Sequence, residues 1–133
     1  MNYLATGINE SPVIAQPAAS AITDVRGRAV KFNGSGAIVL AGAGDTPLGI
    51  GLMTCGTEGA IAAGGDIDIQ YKDIGYVYAG AAITAGASLS VNANGAFIPA
   101  TSSTAAVAVA LQTASAAGQF IPAILKFSAP AVS

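Results

Sequence analysis

Apolar and polar residues alternate along most of the chain in short runs, and the runs are separated by glycine, asparagine or proline. In residues 65–71 the alternation places Ile67, Ile69 and Tyr71 on one face. A period of two residues is typical of half-buried β-strands, because successive side chains point to opposite faces. Further strands are predicted at residues 30–32, 37–40, 48–52, 74–79, 89–91, 96–98, 107–111 and 120–127.

Two of the gaps between strands carry the signal of a tight hairpin. The first turn begins at Asn33 and ends at Gly36, between the apolar runs 30–32 and 37–40. The second begins at Asn92 and ends at Gly95, again between two apolar runs. Asparagine and glycine between alternating apolar residues are the strongest short-range signal of a β-hairpin. We therefore predict two β-hairpins of similar build.

The two hairpins belong to longer stretches that resemble each other. Residues 30–59 align without a gap on residues 89–118, with seven identities in thirty positions and with matching apolar positions. Ala82-Ile83-Thr84 repeats Ala21-Ile22-Thr23 upstream. A repeated unit of this kind indicates a duplicated β structure. The predicted fold class is all-β, a small β-sandwich or barrel built from two similar halves at about residues 21–70 and 82–127.

Residues 101–117 are rich in alanine, which is the best helix former. The aligned stretch of the first half contains Gly49 and Gly51, which make a poor helix, and residues 107–111 alternate large and small side chains. We predict a strand at 107–111 and allow a short helix between Ser102 and Ala106. Glycine inside a strand also suggests close packing at positions 49 and 51, although a simple buried strand explains them equally well.

The domain organisation predicted from the sequence has three parts. An extended N-terminal arm spans residues 1–20, a single β domain spans 21–128, and a short tail spans 129–133. Pro12 and Pro17 favour extended backbone in the arm. The arm is either a frayed terminus or a segment laid across a neighbouring subunit. The apolar residues predicted to make that contact are Tyr3, Leu4, Ile8, Val13 and Ile14.

Charge is scarce in this chain. Only 9% of the 133 residues are charged, against roughly 25% in an average soluble domain. The surface is therefore either small and neutral or covered by copies of the chain or by a partner. Five basic residues and a net charge of −2 argue against nucleic-acid binding. The start has no signal-peptide pattern and the chain has no apolar run of about 20 residues, so we expect synthesis inside the cell and no membrane contact.

The residues that carry chemistry are few. The chain has no histidine and one cysteine, so we expect neither His-based catalysis nor a His/Cys metal site, and no cofactor. Asp66 and Asp68 share a strand face and are explained as solvated charges, with a weak cation site, an interface salt bridge or a catalytic role as alternatives. Arg26 and Arg28 are either solvated charges or contacts to an acidic partner surface. Cys55 is expected to be a small buried side chain, and the protein is predicted not to be an enzyme.

These motifs together resemble the capsid decoration, or cement, proteins of tailed bacteriophages. The resemblance covers about residues 21–127 and is carried by residues 49–52, the Gly64-Gly65-Asp66 turn with its following strand, and residues 83–89. It implies a non-enzymatic virion protein, made in the host cytoplasm, that binds the major capsid protein on the outside of the head and stabilises it. It also implies self-association, with a homotrimer favoured over a homodimer.

This sequence departs from the family pattern in two places, which leaves the mode of attachment open. Ala87 and Gln119 stand where family members carry an acidic residue, and the arm is longer than in the family. The alternative function is a β-rich tail, fibre or surface module that binds carbohydrate or a host protein. It would need exposed aromatic side chains, for which Tyr76 and Tyr78 on one strand face are the candidates.

Overall fold

The structure, a computed structural model, describes residues 12–102, 104 and 106–127. Its described residues form ten β-strands and no helix. The strands are β1 (Val13–Pro17), β2 (Ala29–Phe32), β3 (Ile38–Leu40), β4 (Gly49–Gly51), β5 (Asp66–Gln70), β6 (Asp73–Tyr78), β7 (Ser88–Val91), β8 (Phe97–Pro99), β9 (Ala108–Ala110) and β10 (Phe120–Leu125). The predicted all-β fold class is confirmed.

The strands form two five-stranded antiparallel sheets with the same connectivity. The first sheet has the order β1-β5-β4-β2-β3, and the second has the order β6-β10-β9-β7-β8. Adding five to each strand number of the first order reproduces the second. The chain is therefore a duplicated unit, as the aligned stretches predicted.

Each sheet curls so that its two outer strands approach each other. A parallel bridge joins Ala18, just after β1, to Ile38 in β3, and the equivalent bridge joins Ala79 to Phe97 in the second sheet. The backbone N–H groups of Ala19 and Gly80 donate to the carbonyls of Ile38 and Phe97, at 2.9 and 2.7 Å. Such closure protects the edges of a small sheet from pairing with other chains.

The structure corrects the predicted boundary of the N-terminal arm. Residues 13–17 belong to the sheet, because β1 pairs with all five residues of β5, from Val13 opposite Gln70 to Pro17 opposite Asp66. The position of β1 at the end of the sheet order tolerates Pro17, since an edge strand can lack a ladder N–H. The two halves accordingly begin at β1 and β6, rather than at residues 21 and 82. The other parts of the predicted arm and tail, residues 1–11 and 129–133, lie outside the described residues.

Both predicted hairpins are confirmed, and they share one turn geometry. The Asn33 side-chain oxygen accepts hydrogen bonds from the backbone N–H groups of residues 35 and 37, at 2.8 and 3.0 Å. Asn92 does the same for residues 94 and 96, at 2.8 and 3.1 Å. Gly36 and Gly95 take positive φ angles of 82° and 75°. The asparagine and the last glycine of each turn therefore define it.

We expect Asn33→Ala and Asn92→Ala each to lower the free energy of unfolding by about 1 kcal/mol, because each removes two turn hydrogen bonds at a partly solvated site. The double variant should lose about the sum, since the two turns share no partner. Urea titration of the four proteins measures these differences. A loss confined to one turn would show that the two hairpins are not energetically equivalent.

The alanine-rich segment forms a strand, as predicted. The strand β9 covers Ala108–Ala110 and pairs with β10 on one side and β7 on the other. The helix allowed between Ser102 and Ala106 is not formed in the described part of that segment, where Thr104 closes a turn by donating its N–H to the carbonyl of Thr101 at 3.1 Å. Burial between two neighbouring strands outweighs the helix propensity of alanine here.

The described residues form two clusters of buried apolar side chains, and one of these clusters crosses the junction between the halves. The core of the second half includes three buried residues of the first half, Ala29, Ala41 and Ile50. Backbone hydrogen bonds also cross the junction: the N–H of Ala29 donates to the carbonyl of Gly95, and the N–H of Tyr78 donates to that of Gly27, both at 2.8 Å. Apolar packing and hydrogen bonds that cross the junction favour cooperative unfolding of the halves.

Candidate functional site

The outer surface of the second sheet carries a row of large apolar side chains on β6 and β10. In an antiparallel pair, residues directly opposite each other point to the same face. The outward pairs are Ile74–Ile124, Tyr76–Pro122 and Tyr78–Phe120. We call these six residues the apolar face.

Burial confirms which way these residues point. The residues between them, among them Gly75, Val77, Ile121 and Ala123, are buried. By contrast, Ile74 and Tyr76 are 58% and 55% exposed, the highest values among the exposed large apolar residues of the described chain. An antiparallel sheet usually turns polar residues toward water. Adjacent exposed apolar side chains on such a face therefore make it a candidate site for contact with another molecule.

The first half shows what the same face looks like without this feature. The bridges at Ala18 and Ala79 align the strands before them, so the pair Ala15–Asp68 is equivalent to Tyr76–Pro122. Likewise the pair Pro17–Asp66 is equivalent to Tyr78–Phe120. All four of these first-half residues are exposed: Ala15, Pro17, Asp66 and Asp68. One copy of the duplicated unit thus presents small and acidic residues where the other presents aromatic residues and proline.

Arg26 and Arg28, the predicted partner contacts, lie at one end of the apolar face. The Arg28 guanidinium carbon lies 4.2 Å from the centre of the Tyr78 ring, and that of Arg26 lies 5.7 Å from the Phe120 ring. The two rings contact each other edge to face, with centroids 5.4 Å apart. Cation–π and aromatic contacts of this kind restrain the side chains that take part.

The two arginines differ in their electrostatic partners. Arg26 forms a two-pronged ion pair with Asp24, with nitrogen–oxygen distances of 3.0 and 2.9 Å. The hydrogen bond from Arg26 is the main reason that the pKa of Asp24 lies below its ordinary value, while partial burial opposes the shift. The pair stabilises the folded state above the ordinary pKa of an aspartate, and this contribution is lost as the pH falls through the lowered pKa. Arg28 instead donates to the carbonyl oxygen of Asn94 at 2.9 Å.

A shallow groove adjoins Arg28 where the two halves meet. Its volume is about 470 Å³. Its lining consists of Ser20, Ala21, Ile22, Thr23, Asp24, Arg28, Leu40 and Asn94. Among its lining residues, the charged side chains are those of Asp24 and Arg28.

The remaining residues predicted from the sequence fall into two groups. Tyr3, Leu4 and Ile8 lie outside the described residues. Val13 and Ile14 are half-buried and lie in β1. Their place in the sheet gives both residues a structural role within the chain, and their predicted contact with a partner stays a prediction.

The structure places Asp66 and Asp68 in solvent and Cys55 in the interior, as the sequence predicts for these three side chains. Asp66 and Asp68 are exposed on the outer face of β5. Nowhere in the described ranges do three or more His, Cys, Asp or Glu side chains group as a metal site would require. Cys55 is buried, and burial raises the pKa of its thiol. Its thiol donates to the carbonyl of Asp68 at 3.2 Å, as expected of a structural cysteine.

Sequence reasoning identified only part of the apolar face. Tyr76 and Tyr78 were placed on one strand face, but Ile74, Pro122 and Ile124 were not recognised as their neighbours. The pairing of β6 with β10 joins residues more than forty positions apart in the sequence, and no local pattern specifies its register. The available signal was the uncharged stretch 74–125, which contains β10 and all of β6 except Asp73. No helix in the described part of the chain is long and apolar enough to span a membrane.

Comparisons with known proteins give one informative result. No protein-family model matches the sequence, and no curated protein matches it. Among solved structures, the chain is similar to the N base of the head fiber protein gp8.5 of bacteriophage phi29, with a TM-score of 0.65 and 17% sequence identity. The similarity covers 88% of this chain and 98% of that chain. At this level of identity the comparison establishes a shared fold.

Proposed function

We propose that this protein is a structural component of a tailed-phage virion that binds the outer surface of the assembled head and stabilises it. The observation that carries the proposal is the shared fold, which extends over 98% of the phi29 head fiber base. The sequence resemblance to phage decoration proteins supports the same assignment. Fold alone does not define function, and the exposed surfaces of the protein also support the proposal.

The side-chain chemistry supports a binding role over a catalytic one. The chain lacks histidine, and its described carboxylates are either paired with a basic side chain, as in Asp24–Arg26 and Lys31–Asp45, or exposed. An enzyme needs an acid, base or nucleophile with an environment that tunes its pKa. The apolar face, by contrast, has the composition of a protein-contact surface.

Self-association, with a homotrimer favoured over a homodimer, belongs to the same proposal. In the first half, Ala29, Ile50 and Gln70 pair across β2, β4 and β5 and are buried against the second half. The equivalent residues of the second half are Ser88, Val109 and Ile124, which pair in the same way but are exposed or half-buried. The first half uses this surface to pack against the second half. The equivalent surface of the second half is not covered by any described part of the chain. Another copy of the chain is a suitable occupant.

The major capsid protein is the proposed partner on the head. A single copy of this small protein offers a limited contact area, but many copies on a closed shell multiply the binding energy. Binding of this protein across the interfaces between capsid subunits would stabilise the capsid. A ligand that binds only the assembled state shifts the assembly equilibrium toward that state.

The proposal predicts that purified protein co-sediments with heads that were assembled without it and raises the temperature at which those heads disrupt. Heads of the phage that encodes the chain are mixed with protein at micromolar concentration, pelleted and quantified, and their disruption is followed by calorimetry. Protein unfolded by heat and rapidly cooled serves as the control for non-specific sedimentation. Failure of the folded protein to bind at this concentration would refute the proposal.

A second candidate function is a surface module that binds carbohydrate. The exposure of Tyr76 favours it, because sugar rings stack on exposed aromatic side chains. The aliphatic neighbours Ile74 and Ile124 argue for a protein partner instead, since they offer no hydrogen bonds to hydroxyl groups. Binding to a glycan array that is lost in a Tyr76→Ser variant would move this function ahead of the first.

A further inference from the structure

The apolar face has two parts, which differ in whether the equivalent residues of the first half are buried or exposed. At the Ile74–Ile124 end, the equivalent first-half residues are Val13, which is half-buried, and Gln70, which is buried and donates its side-chain N–H to the carbonyl of Ile74 in the second half. At the other end the equivalent residues are Ala15, Pro17, Asp66 and Asp68, and all are exposed. Docking of another copy in the manner of the junction would therefore cover the first part and leave the second part uncovered. We call the second part, Tyr76, Tyr78, Phe120 and Pro122, the aromatic end.

The aromatic end is held in place before any partner binds. Tyr78 contacts Phe120 edge to face on one side and carries the Arg28 guanidinium on its ring. Arg28 is held in turn by its hydrogen bond to the Asn94 carbonyl. Restrained side chains lose little conformational entropy when they enter an interface. Tyrosine and arginine are also the residues most enriched among those that dominate binding energy.

The charges around the aromatic end leave one cation available. Asp24 forms a bidentate ion pair with Arg26, and Glu58 adds a second negative charge near the same guanidinium. In the portion of the chain that the structure describes, Arg28 forms no ion pair, and its charge is the smallest of the influences that lower the pKa of Asp24. The aromatic end itself has no acidic side chain, whereas its first-half equivalent carries Asp66 and Asp68. A partner that fits this surface is apolar and bears a carboxylate opposite Arg28.

We infer that the aromatic end is the surface by which the protein binds the outside of the head, at a patch of the shell protein that combines apolar side chains with a carboxylate. This inference rests on the proposed function and names the face that performs it. Tyr76 and Pro122 supply the apolar contact, and Arg28 pairs with the carboxylate of the shell. The acidic face of the first half stays in solvent, because its aspartates would require cations from the partner.

The test compares two matched serine substitutions at equivalent positions of the two halves. Tyr76→Ser removes the exposed ring of the aromatic end, and Ala15→Ser alters the equivalent first-half residue. We expect Tyr76→Ser to weaken binding to heads assembled without the protein by about tenfold or more. Ala15→Ser should bind as the unmodified protein does. Because Tyr76 is 55% exposed, the thermal unfolding of the variant should be nearly unchanged, and this is measured alongside.

Arg28 gives a second and independent measurement. Arg28→Ala should weaken binding and flatten its dependence on salt concentration, because one ion pair with the shell is lost. Arg28→Lys should restore much of the salt dependence while losing the planar contact with Tyr78. If all variants bind heads as tightly as the unmodified protein, the inference is wrong while the proposed function stands.

Two other outcomes separate the remaining possibilities. If Tyr76→Ser dissociates copies of the chain in sedimentation equilibrium before heads are added, the aromatic end belongs to the contact between copies and the inference is overturned. If the unmodified protein itself fails to bind heads, the proposed function falls and this inference falls with it. Weakened head binding with unchanged self-association supports the inference.

Discussion

Phe97→Ala is expected to remove about 3–5 kcal/mol of folding free energy, which is a large share of the roughly 5–15 kcal/mol that holds a domain of this size together. Phe97 is fully buried in the core that the two halves share. Its carbonyl also accepts the N–H of Gly80 where the second sheet closes. The truncated side chain would leave a cavity that β8 cannot move to fill, because the Gly80 N–H holds its first residue and the Ala100 N–H just after its end bonds the carbonyl of Ser88.

The matched control for this substitution is Phe32→Ala. Phe32 lies in the hairpin of the first half but is 44% exposed, so its truncation should cost about 1 kcal/mol or less. Urea titration followed by circular dichroism measures both losses. Equal losses for the two variants would contradict the burial of Phe97. Two separate transitions in Phe97→Ala would show that the halves unfold independently.

Gly49→Ala is expected to destabilise the protein by about 2 kcal/mol or more, although it adds only one methyl group. A Cβ atom at this position would collide with the backbone carbonyl oxygen of Gln70 and lie 2.6 Å from a methyl carbon of Ile69. Both belong to β5, which is paired to β4 beside Gly49. The strands would have to separate to make room. The close packing suggested for residue 49 is thus confirmed, and the neighbour is a strand of the same chain.

The duplication makes this result informative. The aligned residue of the second half is Ala108, so a consensus of the two halves would treat Gly49→Ala as conservative. Gly34→Ala is the control, because a Cβ there has no atom within 4 Å and Gly34 is not among the residues with positive φ. It should change the stability by no more than about 0.5 kcal/mol. Similar losses for both glycines would mean that general glycine effects, and not packing against β5, explain the first result.

Divergence between the two halves is the feature that ties structure to function in this protein. The hairpins, closing bridges and strand order are shared, because turn chemistry and the alternation of apolar residues are shared. The outer faces differ: Asp66 and Asp68 in one half correspond to Phe120 and Pro122 in the other. A duplicated scaffold can keep its core in both copies while one copy acquires a contact surface.

Much of the fold could be predicted from local signals. Asn33 and Asn92 marked the hairpins because an asparagine side chain can accept two backbone N–H groups of its own turn. The aligned repeat identified the β9 strand against the helix propensity of alanine. The sequence does not predict the pairing of β1 with β5, because β1 has only five residues, follows Pro12 and ends at Pro17. Its partner strand lies about fifty residues away, beyond the reach of any local pattern.

The site was less accessible from the sequence for the same physical reason. The sequence marked Arg26 and Arg28 as possible contacts but could not place them on the rings of Tyr78 and Phe120. Those contacts depend on how the two halves dock. Docking is determined by shape and by backbone approach at residues such as Gly27, where a Cβ would lie 2.7 Å from the Tyr78 nitrogen. A period of two residues carries no information about such an approach.

The sequence by itself determined the local structure of this protein: the strands, the two turns and the presence of two similar halves. These follow from backbone preferences and from alternation, which act over a few residues. Only the tertiary structure decided which of the two faces of each strand is covered. Alternation of apolar and polar residues separates the two faces of a strand. Whether the outer face is buried depends on which other part of the structure packs against it. In the first half part of that face is closed by the second half, while in the second half Ile74 and Tyr76 remain exposed.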